Sequence, residues 1–507
     1  MDLKKFTIII FILMIFLLSL SFIIPLTQID FSGVFSFIYN TIAFTQSTFF
    51  SMVSSIYDAY TSIYGAFTSA YISIQVAAAN WARADEPDYE ALYTDRVFIV
   101  YNMVVIDEGD YLAGEMNISF VNLWDEPLDT IQLNLPANIT GADNIVVSSL
   151  MLDDVEAVYS TYFNDRVLIY LPETLMPGDT AAISLTFETH FIENFIRFGR
   201  HGDIYLLALW HPVVAPRANG DWVYFPWVRH ADPYFFEASI FHVDFYTDKY
   251  VISPHIYSHE DNRYTFRTLP IRDFSLVMGE FGRISYQIPN GPEIIYYSGA
   301  HRNNWLEYSV DIFNFLTERL GPYPYPYLVI IDVPMEYFRG MELSGMIFFN
   351  NHMDVEVFTL AHEIAHQWWY GLVGNNQITE SWIDEGLANY WAYKYTYARG
   401  MPVGRQFRGH FIHMGRYYQG FSLLRDIRDF PSRHGLPPDL VYRQAVYLRG
   451  ADFWIRVENI IGEEETFNFL RRIQEEYRFR IITTDSIIQA LVRDYGIDET
   501  YLYSLLN

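Results

Sequence analysis

The segment TLAHEIAHQWWYG (Thr359 to Gly371), followed by TESWIDEGLANYWAYKYTYARG (Thr379 to Gly400), decides how the chain is read. Both carry apolar residues at helical spacing. Asp354 is placed to cap the first helix and Gly371 to end it, and Gly400 with Pro402 stops the second. His362 and His366 are four apart, so both imidazoles leave one face of the helix about one turn apart, where a single ion can bridge them. Glu363 is rotated about 100° from His362, which points its carboxylate at a water beside the ion rather than at the ion itself. Two histidines leave a catalytic site one ligand short, because catalytic zinc ordinarily takes three protein ligands and keeps one position open. Glu385 lies 19 residues beyond His366, a spacing that allows a turn through GNNQI and a returning helix. Asp384, about 100° away on that helix, is the competing carboxylate and is expected beside the ligands rather than among them.

A bare H-E-x-x-H is a weak signal, since a helix with two solvated histidines also carries it. Here a glutamate stands amid Ala361, Ile364 and Ala365 with no apolar reason to be there, and a third ligand follows at a workable distance. A zinc ion so held would bring the pKa of a water toward about 7, while Glu363 takes the proton and passes it to a leaving amine. The oxyanion formed on attack calls for a further donor, a tyrosine or a histidine.

Composition restricts the alternatives. The chain has 507 residues, 51% of them hydrophobic and only 19% charged, which argues for large folded cores. A net charge of −28, with lysine only at positions 4, 5, 249 and 394, argues against nucleic acid as a partner. There is no cysteine, so disulfides, thiolate metal sites and Cys nucleophiles are excluded.

Residues 6–26 are free of charge and long enough to span a bilayer, with Lys4 and Lys5 before them and no small-residue cleavage site after. They read as a signal anchor (domain 1–30) that leaves the rest outside the cytoplasm, or secreted if the segment is cleaved. Residues 31–82 carry an apolar stripe at steps of three and four, expected to be a helical stalk that packs on its surroundings or self-associates. ADEPDYE (Ala84 to Glu90) ends this stalk and linker (31–90). Short alternating segments between turn residues then imply an antiparallel sandwich or saddle (91–286), and a mixed, largely helical region follows (287–507).

AHEIAHQWWYGLVGNN and SWIDEGLANYW resemble the gluzincin zinc aminopeptidases, the aminopeptidase N family, over roughly residues 92–507. The resemblance implies an antiparallel β-saddle domain and a thermolysin-like α+β catalytic domain. It makes His362, His366 and Glu385 the ligands of one zinc ion and Glu363 the base. The run Arg339-Gly340-Met341-Glu342-Leu343 is similar to the family's Gly-Ala-Met-Glu-Asn, which implies that Glu342, with Gly340 and Met341, holds the free amine of the substrate. The Met-Glu pair is kept; the first Gly and the last Asn of the motif are not. A carboxylate ahead of Met346-Ile-Phe-Phe is expected on an edge strand beside the cleft. VYRQAVYLRG (Val441 to Gly450) is similar to the stretch bearing the oxyanion tyrosine, which places it at Tyr447, with Tyr442 the neighbouring rival. LWHPVVAPRANGDWVYFPW (Leu209 to Trp227) lacks the Gln or Glu that helps hold the amine in larger members, and the large helical domain of those members is not expected after Tyr447. A more open cleft that admits peptides longer than tripeptides is therefore expected. The function implied is hydrolysis of the N-terminal peptide bond of peptides. The alternatives are an endopeptidase or non-peptide hydrolase on the same centre, or an inactive binding protein.

Overall fold

Period-two alternation builds the first half of the fold. In Ile99–Asp107 the side chains of Ile99, Tyr101, Met103 and Val105 are buried, and in Thr180–His190 those of Ala181, Ile183, Leu185 and Phe187 are. The computed structural model describes residues 96–507, apart from 140–141, 194–196, 229–230, 232, 299–303, 354 and 419. The expected anchor at 6–26 and stalk at 31–82 lie outside the described residues. Among the described residues no helix is long and apolar enough to cross a membrane. The described part belongs to one unit, Asp88–Asn507.

Eight strands make the largest sheet, in the spatial order Tyr257–Glu260, Arg263–Arg267, Ser239–Tyr246, Ile99–Asp107, Tyr111–Val121, Thr180–His190, Ile145–Leu152 and Val155–Glu156. Every neighbouring pair but one is antiparallel. Ile99–Asp107 runs parallel to Ser239–Tyr246, a departure from the purely antiparallel pattern expected. Parallel neighbours need a long crossover, and the strands between Tyr111 and Trp222 supply it. Two four-stranded sheets and a two-stranded one, Arg217–Ala218 with Asp221–Trp222, complete this β-rich part among the described residues.

The sheet changes between Met278 and Gly282. Five strands follow in the order Gly282–Gln287, Glu293–Ser298, Tyr327–Val333, Met346–Asn350 and Gly340–Leu343. Helix α1 (Trp305–Leu320) crosses between the second and third of these, which run parallel. Gly340–Leu343 is an edge strand, antiparallel to Met346–Asn350. The helical remainder comprises α2 (Val357–Ala365), α3 (Trp382–Ala398), α4 (Pro402–Tyr417), α5 (Pro438–Tyr442), a π-helical turn at Arg443–Arg449, α6 (Gly450–Ile461), α7 (Glu463–Glu476), α8 (Thr484–Tyr495) and α9 (Glu499–Leu506).

Helix α3 is the hub of this half. It is buried continuously from Trp382 to Thr396, so it has apolar or hydrogen-bonded neighbours on every side. Lys394 inside it bonds Glu458 of α6 through both carboxylate oxygens at 3.0 Å, and Trp382 Nε1 donates to Thr484 Oγ1 of α8 at 3.0 Å. Where α3 meets α6 the backbones touch. A Cβ on Gly386 would lie 2.8 Å from the Gly450 carbonyl carbon, and one on Gly450 2.9 Å from Gly386 Cα.

This close approach yields a stability prediction. Gly386→Ala should cost about 1–3 kcal/mol, as overpacking of a tight contact does. Gly409→Ala in α4, where a methyl meets no atom within 4 Å, should not lower stability. Urea midpoints of the two variants check this.

Candidate active site

Helix α2 ends at Ala365, earlier than Gly371, and His366 is its C-cap. The chain then turns tightly, with the Gly371 N–H donating to the His366 carbonyl at 2.9 Å. This puts His366 beside the turn and His362 one turn back. The His362 Nδ1 faces Asn389 Oδ1 at 3.0 Å and the His366 Nδ1 faces the Trp369 carbonyl at 2.9 Å. Both partners are acceptors, so both protons sit on Nδ1 and both Nε2 lone pairs are bare. Those lone pairs face each other at 3.0 Å.

Glu385, in the first turn of α3, closes the triangle. Its Oε2 is 3.1 Å from His362 Nε2 and 3.5 Å from His366 Nε2, and it is buried without a hydrogen-bond donor. Three lone-pair donors converging with no proton donor between them repel one another unless a cation lies there. The electrostatics agree. Burial alone would lower the pKa of the His366 imidazole, but Glu342, Glu385 and Glu363 override it and raise it well above the usual range. A point that draws a proton this strongly also suits a divalent ion. Nitrogen and oxygen donors from a buried triad fit zinc.

Glu363 is 5% exposed and lies directly over Gly340, where a Cβ would stand 2.3 Å from its Oε1. Burial raises its pKa above the ordinary carboxylate range. Strand alternation puts Gly340 and Glu342 on one face of the edge strand and Met341 on the other. Met341 is accordingly packed in the core, at 2% exposure, so contact with a ligand in the cleft would run through its backbone. Glu342, Glu363 and His366 bring ligand atoms within 4.8 Å of one another. Gln377, which the motifs do not single out, donates to Glu342 Oε1 at 3.4 Å and to Asp384 Oδ2 at 2.6 Å. Asp384 also accepts from Asn375 Nδ2 at 2.8 Å; burial, then the nearby Glu385 charge, push its carboxyl up to about 7. It lies behind the triad, in hydrogen bonds of its own.

Tyr447 belongs to the π-helical turn just before Gly450, so the Gly386–Gly450 crossing carries it to Glu385. Its hydroxyl donates to Glu385 Oε1, and its ring stacks near His362, with centroids 5.7 Å apart. Burial and the Glu385 charge hold the phenol well above its usual pKa, so it stays a donor. Tyr442 packs instead against Phe430 at 1% exposure. Extra turns of π-helix often mark functional positions, and nothing in the sequence pattern announces this one. Asn389 had a faint signal: it is an amide on the buried helix, four residues after Glu385 and hence on its face.

The profile of the Peptidase family M1 domain matches residues 305–504, a range holding the triad, Glu363 and Tyr447. The match covers less than half of the chain. Aminopeptidase O of Homo sapiens is 24% identical over 218 residues, 37% of this chain and 26% of that protein. Aminopeptidase B of Homo sapiens is 27% identical over 209 residues, 36% of this chain and 30% of that protein. The aligned stretches thus span less than a third of the length of these two relatives. The fold extends further than the M1 match. An M1 zinc metallopeptidase from Deinococcus radiodurans superposes with a TM-score of 0.59 at 15% identity, over 81% of this chain and 93% of that one. A variant of that enzyme bound to a Tyr-Ser-Ala substrate gives the same score, over 81% and 94%. At this identity the likeness is one of fold.

Two substitutions test this arrangement. Gly340→Ala should displace the Glu363 carboxylate and lose turnover while metal content is kept. Asn389→Ala should weaken metal binding by about 10–100-fold, the usual effect of losing a hydrogen-bond partner of a ligand histidine. Metal analysis and chelator competition on the two proteins read these outcomes.

Proposed function

We propose that this chain is a zinc-dependent aminopeptidase that hydrolyses the N-terminal peptide bond of peptides. The observation that carries the reading is the meeting of Glu342 and Glu363 with His366 at one edge of the His362–His366–Glu385 triad. In this reading one carboxylate serves a water and the second a free amine. The names of the relatives, which are aminopeptidases, support it.

In this reading His362, His366 and Glu385 hold one zinc ion, which when bound activates water and polarises the scissile carbonyl. Glu363 takes the proton of the attacking water and returns it to the departing amine, aided by a pKa that burial has raised toward the working range. Tyr447 supplies a neutral O–H to the developing oxyanion. Glu342 accepts the substrate ammonium in a charge-assisted hydrogen bond, and Gln377 fixes the carboxylate from behind. Gly340 and Met341 contribute the edge-strand backbone along which an extended peptide can lie. The β-rich and helical parts correspond to a β-saddle and a thermolysin-like domain, divided between Met278 and Gly282 rather than at the expected residue 286, because strand Gly282–Gln287 already pairs in the second sheet. Residues 6–26 would anchor them outside the cytoplasm, a reading that rests on the sequence of that segment alone.

A panel of aminoacyl fluorophores and their N-acetylated counterparts tests the proposal. Free amines alone should be cleaved, Glu363→Gln should lose about 10²–10⁴-fold in kcat, and Glu342→Ala should raise KM for the free-amine substrates. Equal cleavage of the acetylated set would replace the aminopeptidase reading with an endopeptidase one.

A further inference from the structure

Two charged residues of the β-rich part reach the turn that follows helix α2. Arg272 and Asp273 lie between strands Arg263–Arg267 and Leu276–Met278 and are 2% and 4% exposed. The Arg272 guanidinium donates to four carbonyls: Tyr370 at 2.5 Å, Phe236 at 2.7 Å, Arg480 at 2.9 Å and Leu372 at 3.1 Å. Gly374 leaves room for it, since a Cβ there would stand 2.5 Å from Arg272 Cζ. Asp273 Oδ2 accepts from the Tyr370 hydroxyl at 2.8 Å, and from the Ser344 N–H and hydroxyl at 2.9 Å each. Tyr370 is thus gripped at both its carbonyl and its hydroxyl.

Tyr370 needs gripping. Its φ is +138°, a region that a residue with a side chain enters only under strain. That angle orients the Trp369–Tyr370 peptide plane, and the carbonyl of this plane is the acceptor for His366 Nδ1. Released, the turn would swing the Trp369 carbonyl away and leave His366 free to rotate. Through Ser344 the same Asp273 oxygen holds the turn of the hairpin that bears Glu342. Gln367 ties that turn to the end of α2, accepting from Gly345 N–H at 3.0 Å and donating to the Leu343 carbonyl at 3.1 Å.

We infer that Arg272 and Asp273 are positioning residues of the active site: they hold Tyr370 in its strained conformation so that the Trp369 carbonyl aims His366, and they set the Glu342 hairpin against the metal helix. The β-rich part is then a structural component of the metal centre. This rests on the reading of His362, His366 and Glu385 as the ligands.

The test uses the full chain as wild type, Tyr370→Phe and Asp273→Asn. Zinc affinity is measured by chelator competition and ligand geometry by the visible spectrum of the Co²⁺-substituted protein. Circular dichroism and melting serve as the check on folding. Tyr370→Phe, which keeps the ring and both Ser344 bonds to Asp273, should stay folded, bind zinc about 10–100-fold more weakly and shift the Co²⁺ bands. It should also lower kcat more than it raises KM. Asp273→Asn should do the same more strongly; if it does not fold, Tyr370→Phe decides alone. Folded Tyr370→Phe with zinc affinity within twofold of wild type and an unchanged Co²⁺ spectrum overturns the inference while the metal site stands. Wild type that binds no stoichiometric zinc overturns the site itself and the inference with it.

Discussion

The second half of the fold is arranged around the enforced closeness of three lone-pair donors. His362 Nε2, His366 Nε2 and Glu385 Oε2 sit between 3.0 and 3.5 Å apart in a buried pocket. Such a cluster is unfavourable without a cation and strongly favourable with one, so its geometry must be held by everything around it. Asn389 and the Trp369 carbonyl hold the ring tautomers. The Tyr447 hydroxyl occupies the other oxygen of Glu385. Helix α3, which brings Glu385 and Asn389 together, is buried for nearly its whole length and tied by Lys394 and Trp382 to the helices beyond.

Space is managed as closely as charge. Three glycines set the distances between functional groups because they lack a side chain: Gly340 under Glu363, and Gly386 against Gly450 between the Glu385 helix and the Tyr447 turn. Alternation along one edge strand does the rest, turning Glu342 to the cleft and Met341 into the core. A further layer crosses from the β-rich part, where Arg272 and Asp273 seize the turn that follows helix α2.

Much of this was legible in the sequence because helical spacing fixes direction. His362, His366 and the divergent Glu363 follow from the repeat of about 3.6 residues per turn, and Glu385 from the need for a third ligand on a returning helix. The edge-strand position of Glu342 followed from the β-like run after it. What spacing does not encode are contacts between distant segments. Gln377 meets Glu342, Asn389 meets His362, and Arg272 meets residues near 370 and 480 only once the chain has folded. The π-helical turn that carries Tyr447 and the strained φ of Tyr370 leave no composition signal either, since both are imposed by tertiary packing over local preference. The parallel pairing of Ile99–Asp107 with Ser239–Tyr246 was hidden for the same reason: alternation shows a strand's two faces and not its neighbour's direction.

X-ray absorption at the zinc edge of the purified full chain tests the central claim most directly. The account predicts one zinc with two imidazole nitrogens near 2.0–2.1 Å, the remaining donors oxygen, and no sulfur. A protein without zinc, or a zinc whose scattering lacks two imidazoles, would contradict it.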